Sequence, residues 1–405
     1  MSFLVGWMGG ASVMNNRKPV HVFVLIDALG WLVLEGQHFL QDLLPFRQPL
    51  RTVLGFSSGA IPTILTGLPP AQNGHWNLFY YDPQDSPFRW MKYLGFLPDR
   101  VLDHRVTRKL LKEMGRRLLG LGSQFECAVS PRLMPWFNWV EKKSIYQEGG
   151  VTGASSIFDE LAQQNVAYRV YSYHHASDEQ IFKMAQRDLR EDAASFYFVY
   201  LSEMDRFLHD HCGDAGGKLD ERLSWYASNL RQLFAAARER DPYADLTVFS
   251  DHGMTPVTSH FDLVKRVIQC GFKMPDDYLS VYDSTMARFW FFNAKARTKI
   301  SGMLQSLSCG RILSDLELET LGVFFPDRRY GELVFLLHPG WLISHSDFNG
   351  KGWMPIGMHG YHPEDAHSDG IFLSDRRPPV PVHSVADVYY CMRRASEQRS
   401  DLVRP

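Results

Sequence analysis

The sequence predicts an α/β fold with a mostly parallel central sheet flanked by helices and interrupted by inserted segments. Short apolar runs rich in Val, Phe and Tyr alternate with longer amphipathic stretches, the pattern of strand–helix units in a parallel sheet. Three of these runs end at or just before an aspartate: His21 to Ile26 before Asp27, Phe196 to Leu201 before Asp205, and Leu246 to Ser250 before Asp251. Ligands of open parallel sheets bind beyond the carboxyl ends of the strands, so three acids placed there converge on one site. The composition, 45% hydrophobic and 22% charged, is that of an ordinary globular protein and excludes disordered and fibrous classes.

The 405 residues suffice for one large domain with insertions or for two domains. With 43 basic and 45 acidic residues the net charge is -2, and no block of like charge is long enough to form an arm for a nucleic-acid polymer or a membrane. The five cysteines, Cys127, Cys212, Cys270, Cys309 and Cys391, show no CxxC spacing, which argues against a zinc knuckle or a disulfide framework and for a reducing compartment. The opening stretch MSFLVGWMGGASVM has no basic residue before its apolar part and is broken by glycine, so it does not read as a signal peptide, and a cytoplasmic address is expected. No run approaches the roughly 18 apolar residues of a membrane span.

The expected sheet domain comprises residues 18–75, 151–260 and 355–395. Residues 76–150 form an aromatic-rich insertion without clear strand–helix alternation, and residues 261–354 a mixed helix and strand insertion. Both are placed to cap the site. The aromatic residues of the first, from Trp76 through Phe79, Tyr93 and Phe96 to Trp139, are expected to be its own small core rather than a stacking platform.

Asp205 and His209 stand four residues apart and share one face if their stretch is helical, a pair able to hold a metal ion. Asp251 and His252 follow a β-rich run and precede Gly253, which suits a second ion. His359 and His362 add imidazoles in a Gly-containing loop, with His367 nearby. Each signal is weak alone, but with Asp27 they form the Asp/His-rich set that a pair of zinc-like ions requires. The segment from Phe56 to Gly67 supplies a hydroxyl: Ser57 is expected just ahead of a helix whose first-turn N–H groups favour an anion, and Pro62 is expected early enough in that helix to be tolerated. The competing reading makes Ser57 or Ser58 simply an N-cap.

In order along the chain, VLIDALGW at Asp27, SSGAIPTILTGLPP from Ser57, YLSEMDRFLHDH at Asp205, FSDHGM at Asp251 and HGYHPEDAHSDGIFL from His359 resemble the alkaline phosphatase superfamily and, within it, the type I phosphodiesterase/nucleotide pyrophosphatase branch. The resemblance implies an alkaline phosphatase-like fold and a small-molecule phosphoester substrate. It implies two divalent ions, zinc by default with manganese or iron as alternatives. Asp205, His209 and His359 would hold one ion; Asp27, Asp251 and His252 would hold the other, with the Ser57 oxygen towards it. Ser57, attacking as a nucleophile through a phospho-serine intermediate, is preferred over Ser58 because its spacing to Thr66 and Gly67 matches the family's. The sequence departs from the branch in having serine where threonine is common and Ala60 in place of a phosphoryl-holding asparagine, and no monoester-binding arginine is identified. Transfer to an alcohol acceptor and an inactive binding protein on this scaffold are the alternatives to hydrolysis.

Overall fold

The computed structural model describes residues 19–121, 129–173, 176–191, 193–213, 216–347 and 353–397; the opening stretch read above and Cys127 lie outside them. Six strands form the central sheet in the order Phe46–Leu50, Gly370–Ser374, Asp245–Phe249, His21–Ile26, Phe196–Leu201, Tyr168–Tyr171. The last four are mutually parallel, and Gly370–Ser374 runs antiparallel to both of its neighbours. The sheet is therefore mostly parallel, as expected.

His21–Ile26 and Phe196–Leu201 are buried along their whole length, because helices cover both sheet faces. On one face Tyr197, Val199 and Leu201 pack with Ile181, Phe182 and Ala185 of helix Asp178–Glu191 and with Leu223, Tyr226 and Leu230 of helix Lys218–Arg240. On the other, Phe196, Phe198 and Tyr200 pack with helices Ser57–Thr66, Ile157–Gln163 and Asp387–Glu397. Leu25 lies opposite both Tyr200 and Phe249, so the three chains that carry the aspartates leave the sheet side by side.

Residues 278–337 hold a second, antiparallel sheet ordered Tyr278–Asp283, Met286–Phe291, Leu333–Leu337, Gly310–Ile312. Its Leu279, Val281 and Trp290 share a core with Phe79, Phe88 and Trp139. The aromatic stretch thus does build a core, but not with all of its rings: Tyr93 and Phe96 are 83% and 80% exposed. That stretch also contains a helix, Arg105–Leu118, which was not expected although its apolar residues recur at helical spacing; only Leu111 and Gly115 on it are buried.

Helix Glu203–His211 carries Asp205 and His209 and starts without a capping side chain of its own. Asp178, fully buried, takes that role: its carboxylate accepts from the N–H groups of Ser202 (3.1 Å) and Glu203 (3.2 Å) and from the Tyr226 hydroxyl. Replacing Asp178 with Ala leaves one buried and two partly buried donors unpaired and should lower the unfolding free energy by about 2 kcal/mol in a denaturant titration; Asp178→Asn, which keeps one acceptor, should cost less.

Candidate active site

Asp27 follows its strand directly, and the next residue, buried Ala28, adopts φ +60°. This left-handed conformation costs a non-glycine residue about 1–2 kcal/mol and produces the sharp bend beyond Asp27. The Ala28 N–H donates to Asp251 Oδ1 at 3.3 Å, tying the two strand ends together. After Asp251 and His252 the chain must pass through a gap that only glycine fits: a Cβ on Gly253 would lie 2.2 Å from the His367 carbonyl oxygen.

His252 is the hub. Its Nε2 lies 3.0 Å from Ser57 Oγ, 3.3 Å from Asp251 Oδ2 and 3.6 Å from Asp27 Oδ1. Its Nδ1 sits 2.9 Å from the Gly253 carbonyl, an acceptor only, so Nδ1 carries the proton and Nε2 offers a lone pair to which Ser57 donates. The same logic fixes His209, whose Nδ1 donates to the Gly357 carbonyl at 2.8 Å. Asp205 lies between two imidazoles, 3.4 Å from Nε2 of His209 and 3.4 Å from Nε2 of His359. The His252 and His359 rings stack with centroids 3.9 Å apart.

All seven residues singled out from the sequence, Asp27, Ser57, Asp205, His209, Asp251, His252 and His359, meet here. Ser57 is not an N-cap, since Phe56 occupies that position and Ser57 is the first helical residue; Ser58 turns its hydroxyl to the Trp76 carbonyl instead. Two expectations need correction. Pro62 is the sixth residue of helix Ser57–Thr66 and not part of its first turn, so its missing N–H deprives the Ser58 carbonyl of an intrahelical partner. His362 and His367 stay outside the cluster: His362 faces Glu317 (3.5 Å) and Glu364 (3.6 Å), and His367 lends its backbone to the wall around Gly253.

The electrostatics are those of a site short of positive charge. Asp27 Oδ1, Asp205 Oδ1, Asp251 Oδ2 and His359 Nδ1 are buried without a hydrogen-bond partner. Burial, then the Asp251 and Asp205 carboxylates, push Asp27 well above the usual carboxylate range, against a hydrogen bond from the Tyr200 hydroxyl. Burial opposes ionisation of Asp205 too, yet the imidazoles of His209 and His359 beside it hold it below its ordinary value. Burial and the neighbouring His252 keep His359 neutral. Two groups have donor atoms within 4.8 Å of one another, Asp27 with Asp251 and His252, and Asp205 with His252 and His359. The resemblance drew the second group with His209; here His209 touches Asp205, while His252 reaches both groups. Oxygen and imidazole donors, orphaned oxygens and tautomers locked with Nε2 inward suit divalent cations.

Ser57, Asp27, Asp205, His209 and His359 line a cavity of about 410 Å³. Its walls are largely apolar and aromatic, including Leu78, Trp139 and Tyr146 from residues 76–150, Tyr173 and Tyr200 from the sheet region, and Ser284 and Trp353 from residues 261–354. Among the described residues, no lysine or arginine lines it. Glu141 is, and burial pushes its carboxyl up to about 7. Sequence reasoning missed Tyr200 and Glu141. A polar-tipped Tyr near the end of an apolar strand was a usable signal for the first; nothing in the sequence marked the second.

The family model for type I phosphodiesterase/nucleotide pyrophosphatase matches residues 56–362, which span Ser57 to His359 and leave out Asp27. Among solved structures, human ectonucleotide pyrophosphatase/phosphodiesterase 5 is similar with a TM-score of 0.65 and 14% identity, over 94% of this chain and 95% of that chain. The murine protein of the same name, as an inactive threonine-to-alanine variant in complex with AMP, gives 0.64 and 16% over the same shares. At these identities the likeness is one of fold. A comparison with curated proteins gives no match.

Gly253→Ala should cost at least about 2 kcal/mol of stability, because the added methyl meets backbone rather than a side chain that can move. Thermal unfolding of the metal-free protein measures this, and a melting temperature equal to the wild type would contradict the packing described.

Proposed function

The chain belongs to the type I phosphodiesterase/nucleotide pyrophosphatase family, within the alkaline phosphatase superfamily, and on that premise we propose that it hydrolyses a phosphodiester with Ser57 as nucleophile and two divalent cations as cofactors. The family supports a hydrolase of phosphodiesterase or pyrophosphatase type; nucleophile, cations and substrate form are our reading. The observation that carries it is the Ser57 hydroxyl, which starts a helix at the floor of a cavity and touches the carboxylate–imidazole cluster.

Asp27, Asp251 and His252 would hold one cation, and Asp205, His209 and His359 the other. Such cations supply the positive charge that eases ionisation of a serine hydroxyl and neutralises phosphoryl oxygens. Zinc suits the donors, as do manganese and iron. Ser57 Oγ attacks phosphorus in line with the leaving group, so that an Oγ–P bond forms as the P–O bond to the leaving group breaks. The resulting phospho-serine is cleaved by water entering from the vacated side. Gly59 and Ala60 spend their N–H groups on the Phe56 carbonyl (2.8 and 3.1 Å), whereas the N–H groups of Ser57 and Ser58, which have no intrahelical acceptor, serve the phosphoryl oxygens.

The cavity favours a diester. A monoester dianion calls for a cationic side chain, and among the described residues none lines the walls; a diester carries one negative charge and a second substituent that apolar and aromatic walls accommodate. A nucleoside, as in the AMP bound to the murine protein, is one such retained substituent.

Ser57→Ala should reduce turnover of bis-p-nitrophenyl phosphate by at least about a thousandfold while bound zinc, measured by atomic absorption, stays near the wild-type content. The wild type should prefer this diester to p-nitrophenyl phosphate; undiminished turnover in the variant, or a strong monoester preference, would refute the corresponding part of the reading. Glu141 adds a pH dependence. Below about 7 its carboxyl is neutral, and above that it is an anion facing an anionic substrate, so kcat/KM for the diester should fall as pH rises through this range. Glu141→Gln should flatten that limb, and a limb unchanged in the variant assigns it to another group.

A further inference from the structure

The net charge of -2 conceals an uneven distribution. Residues 89–118 contain nine basic and three acidic side chains, a net of +6, which leaves -8 for the rest of the chain. The same stretch exposes its apolar residues. Tyr93, Phe96, Leu118, Val106 and Leu110 are five of the six most exposed large hydrophobic residues among those described, at 83, 80, 77, 68 and 67%.

This exposure belongs to an ordered surface. The stretch turns other residues inward, with Met91 and Leu111 buried in the core shared with Trp139. Arg132 donates to the carbonyls of Gly95 (3.1 Å) and Leu97 (2.8 Å), holding Phe96 between two anchored neighbours. Lys92 lies 4.3 Å above the Trp136 ring, which braces the short helix that presents Tyr93. On helix Arg105–Leu118, Val106 and Leu110 form an outer apolar strip one turn apart, bordered by Arg105 and Lys109.

We propose that the outer surface of residues 89–118 docks the protein on a lipid bilayer with anionic headgroups. Exposed aromatic and aliphatic side chains amid basic residues are the two components of interfacial binding, insertion at the headgroup boundary and attraction to negative lipids, and neither alone holds a protein firmly. The local +6 selects this occupant: a second copy docking through the same face would set like charge against like. No helix among the described residues is long and apolar enough to cross a membrane. Phe88, from the base of this surface, packs edge to face on Trp139 at 5.3 Å, and Trp139 lines the cavity over Ser57.

The test is flotation of the full chain with phosphatidylcholine vesicles, with and without phosphatidylglycerol, at low and high salt. Binding should be at least about tenfold stronger with phosphatidylglycerol and should weaken at high salt. The Tyr93→Ala/Phe96→Ala and Arg105→Glu/Lys109→Glu variants should each lose about tenfold while melting at the wild-type temperature, since all four side chains are exposed. Equal binding to neutral vesicles, no binding to either kind, or variants that bind as well as the wild type would overturn the proposal. So would a dimer detected by light scattering that the aromatic variant abolishes while vesicles leave it unaffected. None of these readouts depends on the phosphodiesterase reading.

Discussion

The structure is organised around three carboxylates that repel one another. Asp27, Asp205 and Asp251 meet in a buried place whose lining offers no lysine or arginine. Two like charges 4 Å apart cost about 4 kcal/mol at the effective dielectric of a protein near its surface, before the cost of leaving water is counted. Such an arrangement persists only if the rest of the fold over-determines it. Each acid is therefore delivered by a separate rigid element: Asp27 by a strand end and a left-handed alanine, Asp251 by the neighbouring strand in fixed register, Asp205 by a helix that Asp178 caps. Local responses soften the conflict, with Asp27 resisting ionisation and Asp205 leaning on two imidazoles. The remaining deficit of positive charge is the feature a pair of cations would relieve.

Chemistry and selectivity have different structural sources. Asp27, Asp205 and Asp251 sit just beyond the carboxyl ends of inner strands of the central sheet, with Ser57 and His359 brought to them by a helix and a loop. Much of the cavity wall above them comes from residues 76–150 and 261–354, whose aromatic side chains and antiparallel strands share a core of their own. A wall replaced piece by piece leaves the sheet edge intact, whereas a shifted strand register would scatter the acids at once.

What the sequence disclosed follows the same division. Continuous apolar strands flagged by a terminal Asp are legible because a parallel sheet buried on both faces demands them, and the four-residue spacing of Asp205 and His209 is legible because a helix demands that. These patterns, with the Asp-His pair at a strand end, account for Asp27, Asp205, His209, Asp251 and His252, whereas the roles of Ser57 and His359 come from the family resemblance. Pro62 misled, since the helix begins at Ser57 with a hydrophobic N-cap that no capping rule favours. His362 and His367 were legible only as types; whether a loop imidazole faces in or out depends on partners such as Glu317, remote in sequence. Glu141 escaped because its position comes from long-range packing, whereas the aromatic-rich insertion itself was expected to cap the site. The helix Arg105–Leu118 escaped although Val106, Leu110, Met114 and Leu118 recur on it at helical spacing.

The placement of the antiparallel strand Gly370–Ser374 bears on the order in which the molecule is made. It lies between Phe46–Leu50 and Asp245–Phe249, and among the described residues it is the only strand with which Phe46–Leu50 pairs. The segment just before it brings His359, about a hundred residues after His252. A nascent chain that has already emitted Asp27, Ser57, Asp205, Asp251 and His252 thus still has an early strand without its neighbour and a cluster lacking one imidazole. Chains are made from the N-terminus at some 5–20 residues per second, so this half-assembled state lasts for seconds on the ribosome. Assembly of the centre consequently waits for residue 359, and a chain cut short between residues 252 and 359 retains nearly the whole constellation yet cannot complete it.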